Sequence, residues 1–318
     1  MTESTFYEIP IEIRALKTAS VYVVRTDSNT FLIDSGMRPS TEKELKEQGL
    51  DTGQIDGIIL THLHVDHIGG AMAIKKHHGS AILMGRKDAE LCLRIGEDPT
   101  GYLGFLESYY RSNGVSKEVL DQLVIDHPMR MEYARYNELE VDQMVDDTTR
   151  PLNDPQMSLL MTPGHSPGSI SPYLGNGEIF VGDLVLRTIT PNISFYDEST
   201  DMLSIYLESL AKLKTLNFSK VNPGHGAPFS DLNTRIGEIE AHHRHRLDEV
   251  LSIIRHEPAT AFQVTLQMRW SRGRTLESMN EFERNFAFGE AVSHIRKLTH
   301  DGLAEPYEKD GITYFRVQ

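Results

Sequence analysis

Four residues able to bind a metal ion, His62, His64, Asp66 and His67, fall within six positions of the stretch Ile58-Ile59-Leu60-Thr61-His62-Leu63-His64-Val65-Asp66-His67-Ile68-Gly69-Gly70. The apolar residues before them predict a buried strand. At a strand end, side chains two apart point the same way, so His62 and His64 can grip one ion from one side. Asp66 and His67 fall where the chain turns into a helix and can face a second ion close by. Imidazole nitrogens and carboxylate oxygens without thiolate suit Zn²⁺, with Fe²⁺ or Mn²⁺ as alternatives, because geometry and supply also decide occupancy.

Three single residues stand in comparable settings further along. His165 lies in Thr162-Pro163-Gly164-His165-Ser166-Pro167-Gly168, Asp183 ends Phe180-Val181-Gly182-Asp183, and His225 sits in Asn222-Pro223-Gly224-His225-Gly226. Each follows an apolar run and has Gly or Pro nearby, which is how a loop holds a side chain over a sheet edge. One isolated histidine is more often a surface or hydrogen-bonded residue than a ligand. Here the set is consistent: the local cluster resembles the HxHxDH signature of the metallo-β-lactamase fold superfamily, and the three later residues follow in that family's order. The resemblance covers roughly residues 17–230.

That resemblance implies an α/β protein with a four-layer αββα sandwich. It implies that His62, His64 and His165 hold one ion, that Asp66, His67 and His225 hold the other, and that Asp183 bridges them. Two ions about 3.5–4 Å apart share a hydroxide, since coordination brings the pKa of water from 15.7 toward about 7. An incoming carbonyl is then polarised by one ion, and Asp66 is the catalytic side chain that takes the released proton to the leaving group. Within the superfamily the chain looks like the small-molecule hydrolases related to glyoxalase II, which cleave thioesters, esters or lactones. An endoribonuclease or phosphodiesterase of the same fold is the alternative, because the same apparatus can cleave a phosphodiester. Asp34, in the strand Thr30 to Gly36, resembles the family's early Asp-x-Gly carboxylate, which supports a metal ligand, against the alternative that it only caps the following turn.

Composition agrees with an ordinary globular protein. At 318 residues, with 39% hydrophobic and 25% charged residues, the chain predicts about two domains. The single Cys92 excludes an internal disulfide and any cysteine-based zinc site, which suits a cytoplasmic protein. With no leader-like start and no run of eighteen apolar residues, neither export nor a membrane partner is expected. A net charge of −14 argues against broad attraction to nucleic acid and favours a small-molecule substrate.

The elements that must position these residues follow in order. Strands are predicted over Phe6 to Lys17 and Ser20 to Arg25, and a hairpin through Asp27-Ser28-Asn29 leads into the Asp34 strand. A polar helix over Ser40 to Gln48 precedes the ligand strand, and Ser80 to Met84 is a further strand. Between Arg86 and Asp154 strands give way to helical patterns, read as a cap insertion over about 87–154. Its aromatics and methionines, Tyr102, Phe105, Tyr109, Tyr110, Met129, Met131, Tyr133 and Tyr136, are expected either to meet the organic part of a substrate or to pack on the core. Gly175-Asn176-Gly177 predicts a hairpin, and Met202 to Leu213 an apolar helix.

Residues 1–230 thus form the catalytic domain and 231–318 a smaller one. The latter opens with a helix over Ile236 to Ile254 that contains His242, His243 and His245. A second metal site from His242 and His245 is weighed against a solvated helix face, and the face is preferred. Glu281 to Thr299 predicts an amphipathic helix with Phe286, Ala291, Ile295 and Leu298 on or near its buried side. A two-stranded wing about Lys309-Asp310-Gly311 follows, so the unit looks like a winged helix. A metal-responsive DNA-binding regulator is the competing function, but from Asp231 onward 12 Lys or Arg face 14 Asp or Glu, which is no basic stripe. Packing or homodimerisation is the favoured role.

Overall fold

The computed structural model describes residues 2–11, 17–50, 53–120, 133–147, 149–270 and 273–318. In chain order the first half comprises β1 (Glu3–Pro10), β2 (Thr18–Arg25), β3 (Thr30–Ile33), α1 (Thr41–Glu47), β4 (Gly57–Leu60), α2 (Val65–Ile68), α3 (Ala71–His78), β5 (Ala81–Gly85), α4 (Arg86–Glu97), α5 (Pro99–Ser112), α6 (Lys117–Leu120), α7 (Tyr133–Tyr136) and β6 (Gln143–Val145). The second half comprises β7 (Met157–Met161), β8 (Ile170–Leu174), β9 (Glu178–Gly182), α8 (Met202–Lys214), β10 (Lys220–Pro223), α9 (Leu232–His256), α10 (Ala261–Gln267), α11 (Glu281–His300), β11 (Ala304–Lys309) and β12 (Ile312–Val317).

The strands form a six-stranded sheet in the order β1-β2-β3-β4-β5-β6, a four-stranded sheet in the order β10-β9-β8-β7, and the β11-β12 ribbon. Alternation along each strand makes the layers. In the first sheet Val21, Val23, Leu32, Ile58, Leu60, Ile82 and Met84 face one side, where they pack with Leu45, Ile74, Leu91 and Ile95 of the helices. Their neighbours Tyr22, Val24, Phe31, Ile33, Ile59 and Leu83 face the other, against Leu159, Ile170 and Phe180 of the second sheet. Ile179 and Val181 point outward from that sheet onto Leu203, Leu210, Ile236 and Ile239 of α8 and α9. Period-two alternation thus yields helix, sheet, sheet, helix, the expected four layers.

Strand direction places the chemistry. β4 runs parallel to β3 and β5, so its C-terminal end carries the chain straight into His62 and His64. β7 and β9 are both antiparallel to β8, and β10 is parallel to β9. β7, β9 and β10 therefore share one direction, and the residues that follow them emerge on one rim.

Several expectations need correction. Strands do not vanish between Arg86 and Asp154: β6 pairs parallel with β5, and the Asp142 carboxylate before it accepts from Ile82 N at 2.7 Å. Three residues are too few to betray a strand by alternation. The structure describes β1 only as far as Pro10, and residues 12–16 of the predicted Phe6 to Lys17 strand lie outside the described residues. Phe286 is 39% exposed, and the buried face of α11 instead runs through Phe288, Ala291, Val292, Ile295 and Leu298. Its side is set by the 3.6-residue period, which two positions of offset defeat.

Among the described residues the cap aromatics pack on the cores. Tyr102 and Tyr136 lie in the layer outside the first sheet. Phe105, Tyr109 and Tyr110 join a separate core with Phe195, Phe288 and Ile295, which ties α5 to α11. Met129 and Met131 lie outside the described residues, as does the Tyr133 side chain. The final hairpin turns through Asp310 and Gly311, both at positive φ (52° and 75°), as a two-residue connection requires.

Candidate metal centre

All seven predicted side chains converge on the rim where β4, β7, β9 and β10 end. Donor atoms of His62, His64 and His165 lie within 4.8 Å of one another, as do those of Asp66, His67 and His225, and those of His62, His67 and Asp183. All are buried except His64, which is half-buried. Asp183 stands between the two histidine groups: its Oδ2 is 3.9 Å from His165 Nε2 and 3.3 Å from His225 Nε2, and its Oδ1 is 3.7 Å from His67 Nε2. Gly224 makes this approach feasible, since a Cβ there would lie 2.2 Å from Asp183 Oδ1.

The hydrogen bonds on the far side of each ring assign its proton. His165 Nδ1 lies 3.0 Å from the Asn192 carbonyl and His225 Nδ1 lies 2.7 Å from the Thr18 carbonyl. A carbonyl can only accept, so both nitrogens donate. His67 Nδ1 lies 2.8 Å from the Asp34 carboxylate. Thr61 Oγ1 donates to the same carboxylate at 2.9 Å and therefore accepts from His62 Nδ1, also at 2.9 Å. Each of these four rings consequently turns the lone pair of Nε2 inward. His64 presents Nδ1, which is 3.0 Å from His62 Nε2 and 3.1 Å from His165 Nε2.

Neutral His62, His64 and His165 so arranged aim lone pairs at one another at contact distance, which is repulsive unless a cation lies among them. Asp183 Oδ1 is buried with no hydrogen-bond partner among the described residues, a costly arrangement for a carboxylate. The donor set thus fits divalent cations. Burial first, and then the neighbouring histidines, hold His64 down at about 3 and His62 well below its ordinary value. Burial also pushes His67 down, but Asp66, Asp34 and Asp183 outweigh it and raise the ring to about 9. For His225 the same contest ends well above the usual range through Asp183 and Asp66. A proton and a metal ion compete for such rings.

Asp34 supports the cluster from a strained position. Its φ of 59° is left-handed, and its Oδ1 accepts from Thr61 N at 2.8 Å while Oδ2 takes the contacts with Thr61 and His67. Asp88 was missed by sequence reasoning. Buried on α4, it accepts from Leu63 N at 3.0 Å, from Gly168 N at 2.6 Å and from the Ser166 hydroxyl, so it ties the His62 loop to the His165 loop. Burial raises its carboxyl to about 7 against those donors. The only available signal was an acid in the first turn of a helix. Tyr196, whose hydroxyl is 3.1 Å from His64 Nε2, was missed as well.

Two other clusters differ. Glu42, His77 and His78 also bring donor atoms together, but Lys46 Nζ lies 2.7 Å from the Glu42 carboxylate and already supplies a cation. His242 and His245 do not form a second site: His245 is exposed, and His242 Nε2 faces Glu290 at 3.4 Å.

Residues 15–225 match the Metallo-beta-lactamase superfamily. The chain belongs to that family. It is 25% identical over 297 residues to the Beta-lactamase-like protein 2 homolog of Caenorhabditis elegans, covering 91% of this chain and 81% of the relative. It is 24% identical over 327 residues to the Probable metallo-hydrolase YqjP of Bacillus subtilis, covering 93% and 92%. A third relative, the Atrochrysone carboxyl ACP thioesterase of Aspergillus fumigatus, is 24% identical over 242 residues, covering 75% and 60%. Among solved structures, a Beta-lactamase domain protein from Burkholderia ambifaria superposes with a TM-score of 0.81 at 22% identity, over 99% of this chain and 92% of that one. The protein is a metal-dependent hydrolase of the metallo-beta-lactamase fold. Among the described residues no helix is long and apolar enough to cross a membrane.

Proposed function

We propose that the chain is a dinuclear hydrolase of a small carbonyl substrate, a thioester, ester or lactone. His62, His64 and His165 would hold one ion and Asp66, His67 and His225 a second, with Asp183 placed between the two groups. The observation that carries this reading is the inward direction of five ring nitrogens, Nε2 of His62, His67, His165 and His225 and Nδ1 of His64, around the buried carboxylates of Asp66 and Asp183. Divalent cations bound there supply Lewis acidity toward a carbonyl oxygen and lower the pKa of water.

Asp66 does the proton work. Burial raises its carboxyl, but His67 and His225 outweigh that and hold it at about 2, so it is ionised across the neutral range. Its Oδ2 is 3.3 Å from His225 Nε2. From there it accepts the proton lost as water attacks and delivers it to the leaving oxygen or sulfur. Two observations favour a carbonyl over a phosphodiester. The net charge of −14 repels a polyanion, and one relative is named a thioesterase. Residues 1–230 act as the catalytic unit, with 231–318 as a winged-helix-like domain that packs against it.

Metal analysis of the purified protein is expected to give about two ions per chain. His64→Ala and Asp183→Ala should each abolish hydrolysis across a panel of thioesters, lactones and aryl esters. Inactivity of the loaded protein on the whole panel, together with cleavage of single-stranded RNA, would replace this reading with the phosphodiesterase one.

A further inference from the structure

Residues 187–200, between β9 and α8, form a loop beside the His62, His64 and His165 group. The Tyr196 hydroxyl donates to the main-chain oxygen of His165 at 2.9 Å and lies 3.1 Å from His64 Nε2. A phenol has one proton. With that proton on a carbonyl that can only accept, the oxygen receives the N–H of His64 Nε2. His64 is thereby held in the tautomer whose free lone pair is on Nδ1, the nitrogen that faces His62 and His165. The same loop supplies the Asn192 carbonyl that orients His165 at 3.0 Å. Two of the three rings in this group take their direction from one loop.

That loop is fastened mainly by α11, whose start is fixed by a capping box between Asn280 and Glu283. Asn192 Nδ2 donates to Phe286 O at 2.9 Å, and Ser293 Oγ donates to Ile193 O at 2.7 Å. Arg296 reaches furthest: Nη2 donates to Asp197 O at 2.6 Å and to Tyr109 Oη of α5 at 2.7 Å, while Nη1 donates to Thr200 O at 3.2 Å. The partners of the other group come from elsewhere. His67 is oriented by Asp34 after β3, and His225 by Thr18 of β2.

We propose that Tyr196 is the positioning residue that fixes the His64 tautomer, and that Arg296 holds it there from α11, so the carboxy-terminal helix governs one ion position and not the other. This rests on the assignment of His62, His64 and His165 as one ion's ligands. It gives the appended segment a role in the chemistry of a site that it does not touch.

The test uses the full-length zinc-loaded protein competed against a chromophoric chelator, comparing wild type with Tyr196→Phe, Arg296→Met and Arg296→Lys. Losing an orienting partner typically costs 10–100-fold in metal affinity. Tyr196→Phe is therefore expected to release one ion about 10–100-fold more readily while the second is held as in wild type. Arg296→Met should move the same ion in the same direction, and Arg296→Lys should restore part of the loss. Long-range ¹⁵N–¹H spectra should place the His64 proton on Nε2 in wild type and on a mixture of nitrogens in Tyr196→Phe, a signature independent of turnover. Equal weakening of both ions, or unchanged affinities with an unchanged His64 tautomer, would overturn the proposal. If wild type holds a single ion, the dinuclear reading fails, and the response of that ion to Tyr196→Phe still decides this one.

Discussion

The histidines on the sheet rim contrast with those buried between α9 and α11 in what their nitrogens and the nearby carboxylates are paired with. In the second group His294 Nδ1 donates to Glu290 O at 2.6 Å, which leaves its Nε2 to accept from His243 Nδ1 at 3.1 Å. That lone pair is spent on a neighbour's proton. The nearby Glu290 carboxylate has Arg246 Nε at 3.2 Å, so its charge is balanced by a fixed guanidinium. On the rim every outward nitrogen meets an oxygen, the inward nitrogens face one another and the Asp66 and Asp183 carboxylates, and among the described residues no arginine or lysine pairs with those two carboxylates. Nearness of imidazoles is therefore a poor sign of a metal site. What distinguishes one is the side of each ring on which the protein puts an acceptor.

The contrast can be broken by substitution, beginning where the effect is greatest. Asp183→Ala removes the carboxylate that stands between the two histidine groups and should cut hydrolysis by about a thousandfold or more, as loss of several kcal/mol of transition-state stabilisation implies. Initial rates on the best substrate of the panel read this directly. Removing the metals with a chelator should lower stability by about 4 kcal/mol if they had been present at about a thousand times their Kd. Urea unfolding with and without chelator measures it, and the α9–α11 group predicts no contribution of its own.

An effect of opposite origin belongs to His243. Burial, then His294, holds its ring at about 3, against an ordinary 6.5; Glu290 pulls the other way, and His242 and Arg246 add to the depression. Tyr206 of α8 packs edge-on against the ring. The unfolded chain binds the proton below 6.5 and the folded chain only near 3, so the stability held by neutral His243 is complete above pH 6.5 and is lost as pH falls toward 3. His243→Gln should flatten the decline of Tm over that window by an amount equivalent to a few kcal/mol, without altering metal content. Smallest of all, His242→Ala should change stability by less than about 1 kcal/mol and leave the metal content unchanged.

Much of the rim was legible because its information is local. His62, His64, Asp66 and His67 occupy one strand end and the turn after it, and the loops of His165, Asp183 and His225 each announce themselves by an apolar run followed by Gly or Pro. The four layers were legible through the family resemblance, because β2 through β5 are buried on both faces and carry no apolar/polar alternation to read. What escaped depends on distant partners. Tyr196 matters to His64 across 132 positions, and Asp88 to Ser166 across 78. The three residues of β6 become a strand only because β5 offers them an edge. On α11, Phe286 and Phe288 are chemically alike, and only the neighbouring α5 core decides which is covered.

The shared direction of β7, β9 and β10 has a practical corollary. The Gly175-Asn176-Gly177 turn joins β8 to β9 at the rim opposite the ligands, where the Gly177 carbonyl accepts from Ser219 N at 2.8 Å and Lys220 N at 3.3 Å while an added Cβ at Gly175 would meet nothing within 4 Å. A fluorophore or affinity handle grafted there would ride on the far end of the sandwich, a reporter that leaves catalysis undisturbed.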